Sequence, residues 1–155
     1  MTTADSTSTS TSTSTSTSTS TEAVQAALAV EHSAIYVLGA LGGRTSSSSA
    51  PALAQALATA YDDHVNAREA LAAQVVAAGI EPVAPSAVYD LPGRLGSTAG
   101  INAAALRLER DITATYLSLV PKATGTDRVL LIQLLCRAAA RQLDLGAKPT
   151  AFPGT

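Results

Sequence analysis

Apolar positions along the chain recur at helical spacing, and a few polar residues interrupt them at positions that face inward. From Val24, steps of four and three select Val24, Leu28, Glu31, Ile35, Leu38 and Gly42, an amphipathic seam with a carboxylate at its centre. The first helix is predicted over 22–41, with Thr19 and Glu22 at capping-box spacing and Gly42-Gly43 as the stop. A second helix is predicted from Pro51, a residue suited to a first turn, to Ala78 before Gly79. Its inward positions read Leu53, Leu57, Tyr61, His64, Arg68, Leu71, Val75 and Ala78. The third helix follows Ser97 and Thr98 as N-caps and ends at Val120 before Pro121. Leu106, Glu109, Thr113, Tyr116 and Val120 share its face, widened by Leu108, Ile112 and Leu119. The fourth opens after Gly125 with Thr126 and Asp127 and runs to Gly146. Leu130, Leu134, Arg137 and Arg141 form one of its stripes; Leu131, Leu135, Ala138 and Leu145 form the next.

Between the second and third helices, Pro82, Pro85, Pro92, Gly93 and Gly96 keep 79–98 out of regular structure. A bundle accommodates such a length as a crossover. At 1.5 Å per residue the second helix is about 40 Å long, a distance this segment spans easily. The expected fold is all-α, an antiparallel four-helix bundle of ferritin-like topology with one long crossover between helices two and three. Residues 1–21 are dominated by a Ser-Thr repeat without an apolar face and are expected to be a disordered tail. The bundle is assigned to 22–146, and 147–155 to a tail pinned on it by Phe152.

A chain of 155 residues has room for one domain with a substantial core. Ten basic and 12 acidic residues, net charge −2, include no basic cluster, which argues against nucleic acid or an anionic membrane as partner. Charged residues are 14% of the chain, against about 25% in ordinary domains. The helix exteriors are therefore rich in Ala, Ser and Thr, fitting either a homodimer interface or an inert surface. The single Cys136 excludes an internal disulfide and a thiolate cluster, and reads as a small buried residue. With no signal-peptide pattern and no apolar run near 20 residues, a cytoplasmic location is expected.

Counted from their helix starts, Glu31, His64, Glu109 and Arg137 each lie about ten residues in, which puts them at one level of the bundle. A buried polar layer of Glu31, His64, Arg68, Glu109, Tyr116, Arg137 and Arg141 is the result, and it needs internal compensation. A di-iron centre would use a Glu from each of two helices and Glu-x-x-His from the other two. Glu31 and Glu109 supply the first half, but Glu-x-x-His is absent and arginines occupy helix four. A reduced iron or manganese site through Glu31, His64 and Glu109, serving an oxidoreductase, is the alternative reading. The favoured reading has no cofactor: guanidinium groups neutralise the carboxylates, and His64 and Tyr116 satisfy what remains. A pocket for a small molecule of unknown identity is the third. No nucleophile elbow or phosphate-binding loop accompanies these residues, so a non-enzymatic binding or structural module is expected.

The chain also resembles a bacterial ferritin-like domain family of unknown function. The resemblance rests on Glu31-His32 with Tyr36 and Gly39, Tyr61-x-x-His64-x-x-x-Arg68-x-x-Leu71 and Gly79-x-x-Pro82-Val83. It continues through Tyr89-x-Leu91-Pro92, Leu108-Glu109 with Tyr116, and the closing Ala151-Phe152-Pro153-Gly154. It spans nearly everything from Glu22 onward. It implies a ferritin-like bundle that has lost the usual iron ligands, and it implies no particular activity or cofactor.

Overall fold

The computed structural model describes residues 8–154. Four helices make up the fold: α1 (Ser8–Gly42), α2 (Pro51–Ala77), α3 (Thr98–Leu119) and α4 (Gly125–Asp144), with a 3-10 turn at Val120–Lys122. No strand occurs among the described residues. Short connections make α1 and α2 one antiparallel hairpin and α3 and α4 another, and α1 touches all three other helices.

The crossover climbs along α1. Gln25 Nε2 donates to the Glu81 carbonyl at 2.7 Å and its Oε1 accepts from Val83 N at 2.8 Å. Two helical turns further along α1, His32 Nε2 lies 3.0 Å from the Val83 carbonyl, and the Tyr36 and Tyr89 rings meet at 5.5 Å. This ascent delivers α3 to the same end of the bundle as the C-terminus of α1. As a result α3 runs antiparallel to α1, and α4 runs parallel to it.

The core is split into two apolar clusters. One packs Leu28, Leu71, Val75, Ile112, Tyr116 and Leu131. The other packs Leu38, Leu41, Leu57, Ile101, Ala105 and Leu145. On α2, α3 and α4 the boundary between them falls at a polar residue, namely His64, Glu109 and Arg141, and on α1 Glu31 lies inside the first cluster, one turn before the boundary; all four are buried.

Several positions differ from the sequence expectations. The helix begins at Ser8 rather than near Glu22. Of the tail expected over 1–21, residues 1–7 lie outside the described residues. Ser20 and Thr21 are buried, because the Ser20 hydroxyl donates to Asp127 Oδ2 at 2.7 Å and accepts from Thr124 N at 3.0 Å. The repeat therefore ends by capping the start of α4 from another helix. Residues 17–42 are also long and apolar enough to cross a membrane by length and composition, contrary to the expectation above. In the bundle this apolarity serves the helix that packs against all the others. Cys136 is exposed rather than buried. Phe152 is 76% exposed rather than buried against the bundle. Gly154 does the close packing there, for a Cβ at that position would lie 3.2 Å from the Thr113 carbonyl and 3.3 Å from Leu117 Cδ2.

The start of α3 depends on a second glycine. Ser97 caps the helix by accepting from Gly100 N at 3.1 Å, and Arg94 turns the chain with a φ of 65°. The Arg94 carbonyl comes so close that a Cβ on Gly100 would meet it at 2.0 Å. Backbone cannot yield as a flexible side chain does. Gly100→Ala is expected to destabilise the bundle by about 1–3 kcal/mol, read as a lower denaturant midpoint; an unchanged midpoint would show that the turn rearranges freely.

Candidate functional site

Each helix contributes one charged side chain to the layer between the two cores. Glu31 Oε2 lies 2.6 Å from His64 Nδ1, and the other face of the ring places Nε2 3.0 Å from Glu109 Oε1. Arg141 Nε donates to that same Glu109 oxygen at 3.0 Å. The Tyr116 hydroxyl donates to Glu31 Oε1. Towards the surface, Arg141 Nη1 reaches half-exposed Asp63 at 3.4 Å. Behind Glu109, its own carbonyl accepts from Thr113 Oγ1 at 2.6 Å, and Gln142 donates to that hydroxyl at 2.8 Å.

These distances assign the charges. An imidazole with a carboxylate on each nitrogen donates twice, and only the imidazolium has two N–H groups. Glu31, Glu109, His64 and Arg141 then carry two negative and two positive charges, so the layer is neutral. Arg141 Nη2 also lies 3.2 Å from His64 Nε2, so guanidinium and ring stand side by side against Glu109. Burial works against the charged ring, but hydrogen bonds and charge from Glu109 and Glu31 outweigh it and raise the His64 pKa. Burial likewise disfavours the Glu109 carboxylate, yet His64 and Arg141 hold its pKa below the ordinary value. Burial, then the charge of Glu31, pushes the Tyr116 phenol well above its usual range, so it stays a donor.

A pH dependence follows from these shifts. A raised His64 pKa contributes stability that is complete below its unfolded value of 6.5 and is lost as pH rises through the folded value. A depressed Glu109 pKa contributes stability present above 4.5 and lost as pH falls through the folded value. Denaturant midpoints should therefore be highest between these limits and fall on the alkaline side. A midpoint that rises from pH 7 to 9 would contradict the imidazolium assignment.

Sequence reasoning placed Glu31, His64, Glu109, Tyr116 and Arg141 together, and they meet. Arg68 and Arg137 do not join them. Arg68 is 32% exposed in its side chain and pairs with its neighbour Glu69, because the buried stripe of α2 runs Leu57, Ala60, His64, Ala67, Leu71. Tyr61 leaves the seam for the same reason and lies over Gly39. On α4 the buried stripe is Leu131, Leu134, Ala138, Arg141 and Leu145, so Arg137 is exposed and Arg141 is the buried cation. The signal was present: those five positions alternate steps of three and four without interruption. Asp63, which the sequence reading did not include, extends the layer towards solvent through Arg141.

As a metal site the donor set fits poorly. Both imidazole nitrogens are engaged, and a guanidinium shares the carboxylate a metal would need. Among the described residues no group of three His, Cys, Asp or Glu side chains converges as a metal cage. Glu109 Oε2 is the one buried side-chain polar atom there with no hydrogen-bond partner. A separate open groove of about 1000 Å³ lies between α1, α3 and the crossover, with Val37, Ala104 and Leu108 on its floor and Arg94 and Arg107 at its edge.

The chain matches the family described as Domain of unknown function (DUF4439) over residues 23–155. Among solved structures, it is similar to a conserved hypothetical protein, rv2844, from Mycobacterium tuberculosis. The two share 28% identity and a TM-score of 0.74, over 83% of this chain and 95% of that one. No curated protein matches the chain.

Proposed function

We propose that this chain, which belongs to the DUF4439 family, is a ferritin-like bundle acting as a non-enzymatic binding or structural module. In this reading a Glu31–His64–Glu109–Arg141 layer stands where other ferritin-like proteins hold metals. The observation that carries it is the double engagement of His64, with a carboxylate at 2.6 Å on one nitrogen and another at 3.0 Å on the other. A ring used in this way has no lone pair to give a metal, and Arg141 supplies the remaining positive charge. The layer then fixes helix register, since alternative packings would strand a buried charge. A binding role would fall to the groove beside the crossover, whose apolar floor and charged edge suit a small amphiphilic molecule.

Metal analysis of protein purified without chelators tests this reading. Substoichiometric iron and manganese are expected, with no gain in melting temperature when either is added. Stoichiometric metal that disappears in Glu31→Ala would overturn it in favour of a reduced-ligand oxidoreductase.

A further inference from the structure

The outer face of α4 carries large apolar side chains that nothing in the described chain covers. Val129 is 55% exposed, Ile132 42% and Leu143 48%, and Cys136 lies on the same stripe. At 100° per residue these positions, with Ala140, occupy the side of α4 opposite its buried stripe. On the flank of this face stand Arg137 and Asp144, both exposed. Neither takes part in the ion pairs found among the described residues.

We propose that this face of α4 binds a second copy of the chain, antiparallel, about a two-fold axis at Ala140. The charge pattern selects this partner. A two-fold axis perpendicular to two antiparallel helices keeps residues of one flank together and pairs positions equally distant from the axis. Arg137 and Asp144 share a flank and lie three and four residues either side of Ala140. Each Arg137 therefore comes within one residue of level with the partner's Asp144, an offset of about 1.5 Å that the long side chain spans, and the pair forms twice. On the opposite flank Cys136 comes alongside the partner's Leu143, again twice. Ala140 on the axis lets the backbones approach closely. Beyond Leu143 the C-terminal tail stands off α4 and leaves a slot of about 180 Å³ lined by Ala139, Leu143, Pro149 and Pro153. A single helix pair is smaller than the roughly 800 Å² per partner of a standard interface, so the dimer is a weak one.

Sedimentation equilibrium of the full chain, up to about 1 mM for a weak complex, tests this. A monomer–dimer equilibrium is expected, weakened about tenfold or more by Leu143→Lys and by Arg137→Glu. Adding Asp144→Arg to Arg137→Glu should restore it. All the altered residues are exposed, so melting curves should stay unchanged and show that the variants fold. In a Cys136→Ser background, Ala140→Cys should crosslink to dimer with a short bismaleimide. A chain that stays monomeric, a dimer indifferent to these changes, or a double variant no better than Arg137→Glu overturns the proposal. So does a monomer that binds anionic phospholipid vesicles through Leu143, which would make the face a membrane contact.

Discussion

His64→Leu should destabilise the bundle by about 3–5 kcal/mol at pH 7, the usual penalty for removing one partner of a buried ionic cluster. Leucine fills much of the ring's volume, so a cavity is not the main effect. The penalty arises because Glu31 at 2.6 Å and Glu109 at 3.0 Å from the ring are left facing one another. Arg141 compensates Glu109 alone, and Glu31 keeps only the Tyr116 hydroxyl. The deficit should shrink on acidification, because a protonated carboxyl no longer needs the lost cation. Urea midpoints of both proteins at pH 7 and pH 5 check it. A gap that is the same at both values would mean that the lost ring, not the stranded charge, sets the penalty. Replacing all four charged residues together with apolar ones is a different experiment. That change can be neutral or stabilising, since desolvation offsets most of the attraction within the intact layer.

Arg141→Ala should cost about 3 kcal/mol, leaving Glu109 buried with only His64 as cation and its Oε2 still unpaired. Arg137→Ala, one helical turn earlier, should change stability by no more than about 0.5 kcal/mol, as exposed positions generally do. The contrast is diagnostic because the two residues have the same chemistry and sit on the same helix. Equal losses in the two variants would mean that α4 is rotated relative to the arrangement described. Both measurements need only chemical denaturation at pH 7, under conditions where any dimer is dissociated.

The level of the polar layer was legible along the chain. Glu31, His64 and Glu109 each stand mid-helix on an otherwise apolar face, and burying a carboxylate without a partner is costly enough to make the layer a necessity. The partners were harder to choose. Arg137 and Arg141 are only about 40° apart around an α-helix, so either can close the layer until the rotation of α4 is known. Arg68 and Tyr61 were placed inward on the same grounds, one residue from the buried Ala67 and Ala60. Small residues at those two positions let α2 approach its neighbours closely, and the larger side chains beside them turn outward.

The sequence by itself determined four helices, the Ser97 cap of the third, the long crossover and the existence of a charged centre. Each of these follows from local periodicity or from the free energy of a single buried group. Only the tertiary structure decided which arginine neutralises that centre, that His64 is held between two carboxylates, and that Phe152 and Cys136 face water. These depend on how each helix is rotated about its axis, a quantity set by the side chains of its neighbours rather than by its own spacing.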